Sequence, residues 1–482
     1  MRNRSFGNGC FGNGCFGYSI LRAGFCDKTL VELDVMKFFD REKEIRMLRE
    51  IREKSHKSAR FTVITGRRRI GKTTLVLHAV GAEEESDAEK DLFLYFFVSR
   101  KAEKDLCQGF IHEIEAKTGM AVLGDTASFA DIFRYLMRLS QERPLTLFID
   151  EFQDFSLVNS SIFSDMQMIW DLGKEKSKMN LIVGGSINSM MNRLFRDKEQ
   201  PLYKRETNMI RLKPFATSVL KDILAYYHPS YTPEDLLGLY SFTGGVAKYV
   251  ELFMENDAFT PNEMIDVMVR DGSPFTEEGR VMLLGEFKKE YGTYFSILSA
   301  IAGGHTSRAE IETVVGKEVG GYLTKLEDDH ELISKRLPIY QASATKNLQY
   351  AISDNFLTFW FRFVFKYGYM LEIGAYSKLR ELIKRDYPTF SGLMLERYFR
   401  EKLAESESYT RIGGWWDRKG TNEIDIIASD DIEKKIDFIE VKRTPSRYKE
   451  DLLQEKALAF LAVNKHLASY SRTLSVLSPS DM

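Results

Sequence analysis

The sequence is poor in the features of secreted and membrane proteins. It has 4 cysteines among 482 residues, and three of them, Cys10, Cys15 and Cys26, lie before residue 36. This excludes a disulfide framework for a chain of this size, and a reducing, cytoplasmic location is expected. No uncharged apolar run reaches the roughly 20 residues that span a bilayer, and the first residues lack an apolar signal segment. We therefore expect no membrane partner.

An excess of charge of either sign is also missing. Lys and Arg total 68, Asp and Glu total 70, and the formal net charge is -2. A basic field over the whole protein is thereby excluded, so any binding of nucleic acid must come from a local patch. Hydrophobic residues make up 44% of the chain and charged residues 29%, which is an ordinary globular composition. The length predicts about three domains.

The first 35 residues differ in composition from the rest. Phe6-Gly-Asn-Gly-Cys10 is repeated as Phe11-Gly-Asn-Gly-Cys15, and no His, Asp or Glu lies beside these cysteines to complete a metal site. Residues 1–35 are therefore interpreted as a low-complexity tail. Whether this tail is native, or is upstream sequence in front of a true start at Met36, stays open.

A phosphate-binding loop is the strongest motif. The apolar run Arg60–Thr65 predicts a buried strand, G-R-R-R-I-G-K-T follows it over residues 66–73, and a helical pattern covers residues 74–80. In this motif backbone N–H groups point at phosphate oxygens. Lys72 supplies a positive charge to the β/γ-phosphates, and the Thr73 hydroxyl reaches Mg²⁺. The expected nucleotide-binding residues are Gly66, Arg67, Arg68, Arg69, Ile70, Gly71, Lys72, Thr73 and Thr74.

A second apolar run, residues 145–149, ends in two acids. Asp150 is expected to hold Mg²⁺ through water, and Glu151 to orient and deprotonate the attacking water. A further strand candidate, residues 92–98, lies between the two motifs in the sequence. This extra strand and Glu151 together favour a water-activating ATPase over a simple nucleotide kinase.

Two more residues are candidates for the catalytic machinery. A strand predicted over residues 181–185 leads to Ser186, which is expected to touch the γ-phosphate or the attacking water, to cap the next helix, or to do both. Arg205 is expected to contact nucleotide, in its own chain or from a neighbouring subunit, unless it is a surface arginine in a loop. Contact from a neighbouring subunit would make self-association a candidate. The helical pattern of residues 216–280 predicts a small lid over the nucleotide.

Residues 281–345 predict three short helices followed by a strand that turns back. Ser307 and Glu310 have the spacing of a capping box, and the whole pattern resembles a winged helix. Such modules bind DNA, connect domains or bind protein, and the four acids near Lys325 argue against strong major-groove binding. The aromatic stretch 356–365 predicts a buried helix, with a base-stacking platform as the alternative.

The last part of the chain carries a second cluster of reactive side chains. Glu396 lies on a helix predicted over about residues 393–404, and two predicted strands, 423–428 and 436–442, would place Asp425 opposite Glu440. Lys442 projects to the same face as Glu440. Two carboxylates and an ammonium suit a hard cation and a water nucleophile, so Asp425 and Glu440 are candidate ligands of a second divalent metal. The alternative is a surface hairpin with scattered charges.

Several motifs together resemble a known group of ATPases. Residues 39–42 (F-D-R-E), the loop G-R-R-R-I-G-K-T, F-I-D-E-F-Q, G-G-S, L-K-P-F and T-G-G resemble the archaeal-type P-loop ATPases of the AAA/STAND group over residues 36–275. The resemblance implies ATP and Mg²⁺ as cofactors, a parallel sheet with a helical lid, and residues 39–42 near the adenine. Ala247 stands where the group often has proline.

Residues 350–465 resemble the C-terminal domain often appended to these ATPases, whose ending is similar to the PD-(D/E)XK nuclease fold. This resemblance implies Glu396, Asp425, Glu440 and Lys442 as active-site residues, with Ile424 in place of the proline of the name. The expected class is α/β, with a P-loop NTPase sheet and helical lid, a winged-helix-like module and a restriction-endonuclease-like domain. The expected boundaries are 36–215 for the core, 216–280 for the lid, 281–345 for the winged-helix-like module and 346–482 for the nuclease-like domain.

The expected function combines these parts. We expect a protein that binds ATP and hydrolyses it with Mg²⁺, and that couples this to a metal-dependent nuclease-like or DNA-binding domain, with DNA as a candidate partner. The alternative is a nucleotide-controlled switch or scaffold with slow turnover and a non-cleaving C-terminal domain.

Overall fold

The structure is a computed structural model that describes residues 37–81, 91–121, 128–287, 291–341, 347–417 and 422–482. The predicted tail, residues 1–35, lies outside the described residues. Phe38–Met482 fold as one unit. No helix in the described ranges is both long enough and apolar enough to cross a bilayer.

A five-stranded parallel sheet organises the first half of the chain. Its strands are β1 (Arg60–Thr65), β2 (Leu92–Phe97), β3 (Leu145–Asp150), β4 (Met179–Gly184) and β5 (Asn208–Arg211). They lie in the order β2-β3-β4-β1-β5, and every neighbouring pair is parallel. Because both faces of a parallel sheet are covered, β1, β3 and β4 are mostly apolar and are buried along almost their whole length. The predicted parallel P-loop sheet is confirmed.

Helices cover both faces of this sheet. On one face Phe61 and Val63 pack with residues of α3, α4, α6 and α7, and on the other Ile64 packs with Leu48 of α1 and Leu75 of α2. Alternate side chains of one strand thus serve two cores. The helices are α1 (Glu42–Ser55), α2 (Lys72–Val80), α3 (Glu103–Thr118), α4 (Phe129–Glu142), α5 (Phe155–Val158), α6 (Ile162–Gly173) and α7 (Asn188–Arg196).

The order of the strands separates the two nucleotide motifs. β4 lies between β1, which leads to the phosphate loop, and β3, which ends in Asp150. β2, which lies between them in the sequence, is at the edge of the sheet. An extra strand therefore stands between the motifs in space, but it is not the strand that lies between them in the sequence.

Five helices follow the sheet. Capping boxes at Thr232 and Thr260, each followed by proline, begin the second and the fourth of them. The fifth crosses the lid boundary expected at residue 280. They are α8 (Thr217–Tyr227), α9 (Pro233–Thr243), α10 (Ala247–Met254), α11 (Pro261–Met268) and α12 (Pro274–Phe287).

The next part has three short helices and a two-stranded hairpin. These are α13 (Tyr291–Ala302), α14 (Arg308–Val315), α15 (Gly320–Thr324), β6 (Ile333–Arg336) and β7 (Gln349–Ile352). The predicted capping box of Ser307 and Glu310 is present at the start of α14. β6 and β7 are antiparallel, so the boundary expected at residue 345 falls between two paired strands.

A second sheet, in the order β11-β10-β9-β8, forms the last part of the chain. β8, β9 and β10 are antiparallel to their neighbours in this group, and β11 is parallel to β10. Ile424, Phe438 and Phe460 are part of its core. The elements are α16 (Asn355–Phe359), α17 (Gly368–Glu372), α18 (Tyr376–Glu405), β8 (Arg411–Trp416), β9 (Glu423–Asp430), β10 (Lys435–Val441), α19 (Glu450–Val463) and β11 (Ser471–Leu477).

Two expectations for this part change in detail. The helix that carries Glu396 begins at Tyr376, and it contains Pro388 in its interior. The aromatic stretch forms α16 and a π-helical turn, Trp360–Phe365, whose rings are largely buried. Buried rings cannot stack on bases, so the helix interpretation holds and the platform alternative does not.

Candidate functional site

The loop between β1 and α2 has a backbone that only glycine adopts easily at two positions. Gly66 has φ 144° and Gly71 has φ 91°. A Cβ on Gly66 would lie 2.6 Å from the backbone oxygen of Leu212, because the chain after β5 passes against the loop. Gly71 immediately precedes α2, so the free N–H groups of that helix's first turn lie at the loop. Ile70 is buried, and Thr74 is half-buried in α2.

Lys72 places a positive charge inside this loop. Its Nζ donates to the backbone oxygens of Gly66 at 2.8 Å and of Arg67 at 3.0 Å. Burial lowers the pKa of the Lys72 ammonium to about 8, and the nearby carboxylates of Glu151 and Asp150 oppose that shift. The loop therefore holds a cation close to the free N–H groups of the first turn of α2, and a polyphosphate needs both.

The end of β3 meets the start of α2 through a hydroxyl and a carboxylate. Thr73 Oγ1 donates to Asp150 Oδ2 at 2.6 Å, and the Tyr95 hydroxyl lies 3.4 Å from the same oxygen. Burial raises the pKa of the Asp150 carboxyl, while the hydrogen bond from Thr73 opposes the rise. A hydroxyl and a carboxylate at one point are hard oxygen ligands, so these two residues fit Mg²⁺.

Glu151 is held by two neighbours. Ser186 Oγ lies 2.9 and 2.7 Å from its two carboxylate oxygens, and Gln153 Nε2 donates to Oε2 at 2.6 Å. Gln153 is buried, and within the described part of the chain its own Oε1 has no hydrogen-bond partner. Ser186 caps no helix, because α7 begins after Ile187 without a side-chain cap. Sequence reasoning missed Gln153, although it belongs to the quoted F-I-D-E-F-Q motif.

Arg205 lies away from the phosphate loop. It precedes β5 at the amino-terminal side of the parallel sheet, whereas the loop follows the carboxyl end of β1. Its Nε lies 3.2 Å from Asp171 Oδ2, and its Nη1 donates to the Tyr203 oxygen at 2.9 Å. This corrects the expected contact with nucleotide within one chain. Contact from a neighbouring subunit, and with it self-association, stays a prediction.

The three consecutive arginines of the loop have different surroundings. Arg67 forms an ion pair with Asp354, directly before α16, and its guanidinium carbon lies 5.7 Å from the ring centroid of Tyr249 in α10. Arg69 lies 2.7 Å from Glu278 of α12, and the Tyr249 hydroxyl donates to the same carboxylate at 3.1 Å. The exposed third member is Arg68. Two loop arginines are thus bound by segments far along the chain.

The C-terminal carboxylates converge as the hairpin predicts. Ile426 pairs with Ile439, so Asp425 and Glu440 face each other at the next position. Lys442 Nζ lies 3.1 Å from Asp425 Oδ2 and 2.5 Å from Glu440 Oε2.

Sequence reasoning missed a second lysine at this cluster. Lys456 of α19 contacts the other Glu440 oxygen at 2.7 Å. It was missed because α19 itself was not predicted.

Glu396 approaches this cluster from α18. Burial and the Asp425 carboxylate raise the pKa of Glu396 to about 7, and Arg400 Nη2 lies 3.5 Å from its Oε2. In the described ranges no three His, Cys, Asp or Glu side chains form a group that could hold a metal. Because ammonium groups contact both facing carboxylates, Asp425 and Glu440 could hold a second metal ion only after Lys442 moved away from them.

The glycine-rich loop, the acidic strand and the parallel sheet define a P-loop ATPase fold. Residues 38–253 match a family described as an ATPase domain predominantly from Archaea. Residues 360–452 match a second family, described as archaeal and bacterial proteins of unknown function. The chain is therefore similar to the archaeal ATPase family over residues 38–253 and to the second family over residues 360–452.

Similar proteins include an uncharacterised protein of Methanocaldococcus jannaschii, which is 29% identical over 415 residues, 84% of this chain and 87% of its own. A Walker-type ATPase of Pyrococcus abyssi is 18% identical with a TM-score of 0.51, over 67% of this chain and 96% of that one. The ORC2 protein of Aeropyrum pernix, solved with ADPNP and ADP, is 16% identical with a TM-score of 0.47, over 72% and 95%.

Proposed function

We propose that this protein binds MgATP at the loop of residues 66–73 and hydrolyses it with Glu151 as the general base. The convergence of Lys72, Thr73, Asp150 and Glu151 at one edge of the sheet carries the proposal. Lys72 would bind the β/γ-phosphates, and Thr73 and Asp150 would hold Mg²⁺. The ion supplies charge neutralisation at the phosphates.

Glu151 takes a proton from the water that attacks the γ-phosphate. Its carboxylate is fixed by Ser186 and Gln153, so its direction is set before the water arrives. Ser186 therefore acts through Glu151 and is a positioning residue rather than a direct ligand of phosphate.

Phosphate release by purified protein tests this assignment. Lys72→Ala should weaken nucleotide binding, whereas Glu151→Gln should bind ATP but turn over roughly 10²-fold more slowly or worse. Glu142→Gln is a matched control, because Glu142 is an exposed glutamate at the end of α4. A Glu151→Gln variant with the wild-type rate would disprove the role of Glu151. Tight ATP binding with negligible turnover in the wild type would support the switch or scaffold alternative.

For the C-terminal domain the proposal is binding of nucleic acid at the carboxylate cluster. The observation that favours it is the balance of charge, since Lys442 and Lys456 contact Asp425 and Glu440. Neutralised carboxylates repel a phosphate less strongly, so a phosphate can approach other cations at the edge of the cluster, such as Arg400. Electrophoretic mobility shifts with duplex and single-stranded DNA test this binding directly.

Phosphodiester cleavage is the second candidate function. It is favoured by the convergence of Glu396, Asp425, Glu440 and Lys442, the residues that the nuclease resemblance implies. It requires a divalent metal to displace Lys442 from the carboxylates, so calorimetry with Mn²⁺ should detect a site that Asp425→Asn removes. Glu433→Gln, in an exposed pair with Lys435, is the control. Absence of both Mn²⁺ binding and strand cleavage in the wild type would leave a non-cleaving domain.

A further inference from the structure

Arg336, the last residue of β6, is a half-buried arginine without a counter-ion in contact. Throughout the ranges that the structure describes, its guanidinium makes no hydrogen bond or ion pair. The guanidinium carbon lies 5.8 Å from the ring centroid of Trp416. Burial, and next the charge of Arg400, lower its pKa to about 10. The carboxylates of Glu396 and Glu423 oppose this lowering of the pKa, but neither forms an ion pair with Arg336. A charge removed from water without a partner in contact is costly, so the position of Arg336 requires an explanation.

The surroundings of Arg336 belong to the C-terminal sheet. The backbone N–H of Ile339 donates to the Gly414 oxygen at 2.8 Å, so the chain after β6 runs along β8. Trp416, which contacts Arg336, pairs with Glu423, two residues before Asp425 on β9. An arginine from the β6–β7 hairpin therefore lies at the edge of the carboxylate cluster.

A second arginine at this edge also has unused donors. Arg400 Nη2 donates to the backbone oxygen of Asp425 at 2.6 Å, but its buried Nε has no hydrogen-bond partner among the residues that the structure describes. Arg397, one turn before it on α18, is fixed by Asn355 Oδ1 at 2.6 Å and the Ile352 oxygen at 2.8 Å. The cluster thus combines a fixed cation with two arginines whose donors are not all used.

We propose that Arg336 and Arg400 bind a backbone phosphate of a nucleic acid at the edge where the β6–β7 hairpin meets the C-terminal sheet. The inference rests on the nucleic-acid binding proposed above and specifies its contact. Guanidinium groups match the geometry of phosphate oxygens, and Trp416 fixes the plane of Arg336. Lys442 and Lys456 reduce the repulsion between that phosphate and the carboxylates of Asp425 and Glu440.

Fluorescence anisotropy of the full chain with a labelled short duplex, and with the corresponding single strand, tests this contact. Arg336→Gln should weaken binding about tenfold and reduce the slope of log affinity against log salt by about one. Arg336→Lys, which retains a charge, should recover part of the affinity. Arg385→Gln is the matched control, because Arg385 is a 71% exposed arginine on α18. Circular dichroism verifies that each variant is folded.

The outcomes separate this inference from the proposal on which it rests. Wild-type binding that Arg336→Gln leaves unchanged would overturn the phosphate contact, while the proposed nucleic-acid binding would stand. A wild type that binds neither DNA probe would overturn both. Equal weakening by Arg336→Gln and Arg385→Gln would also overturn it, since the effect would then be one of net charge.

Discussion

The ion pair between Arg67 and Asp354 can be tested without disturbing the backbone around it. The side chains are 19% and 8% exposed, so both charges are largely removed from water. Asp354 Oδ1 also caps α16 by accepting from the Leu357 N–H at 2.7 Å. Asp354→Asn retains an oxygen for this cap and removes only the charge.

The expected cost follows from leaving Arg67 unpaired. Breaking a buried pair costs about 3–5 kcal/mol, and the residual exposure of Arg67 and its Tyr249 contact favour the lower end, about 3 kcal/mol. Arg67→Met should cost about 2 kcal/mol, because Asp354 retains its hydrogen bond to the backbone. The double variant should cost less than the sum, with a coupling of about 2 kcal/mol.

Urea unfolding of the full chain, followed by circular dichroism, measures these free energies. Arg308 and Glu312 provide the control cycle, since they form an exposed pair at 2.7 Å on α14. Their coupling should be too small to resolve. Additive effects of the Arg67 and Asp354 substitutions would refute the reasoning, because two independent residues cannot form the pair described.

Three further predictions concern the nucleotide site. Gly66→Ala should destabilise the protein by about 1–3 kcal/mol in thermal unfolding, because its φ of 144° strains any side chain. Gly109→Ala in α3 is the control and should be stabilising, since nothing lies within 4 Å of the new methyl group. The Lys72 pKa is lowered to about 8 from 10.5, so the folded state loses this proton first. The contribution of Lys72 to the free energy of unfolding should therefore rise as the pH increases from about 8 to 10.5. The affinity for a fluorescent ADP, measured in the presence of a metal chelator, should fall from pH 7 to 9, because Lys72 loses its charge. In Lys72→Ala this affinity should not depend on pH. Gln153→Leu should lower kcat about tenfold with little change in KM or melting temperature, because it removes one hydrogen bond to Glu151. Phosphate-release kinetics with an unchanged kcat would contradict this.

The buried strands were predictable because their signal is local. β1, β3 and β4 are mostly apolar runs that end at glycine or acid, and the structure has them within two residues of the predicted positions. β11 was not predicted, since its first half is exposed and polar. The start of α18 was missed because Pro388 normally ends a helix, whereas this helix contains it.

The partners of the functional side chains were harder to predict than the side chains themselves. Lys72, Asp150 and Asp425 are marked by motifs, but the pairing of Arg67 with Asp354 depends on how distant segments pack. Arg205 is a residue whose predicted partner was wrong for the same reason, because its surroundings depend on how the strands are ordered. Its place in the sequence suggested nucleotide, while the parallel strand order carries it to the other side of the sheet.

The long-range pairing of the loop arginines has a consequence for synthesis. A growing chain exposes Arg67 and Arg69 early, but their acidic partners, Asp354 and Glu278, are translated much later. The phosphate loop therefore cannot reach its final surroundings while the ribosome is still reading the middle of the message. The nascent ATPase domain would remain a partly folded intermediate until these partners are made. Nucleotide binding would then be among the last events of folding.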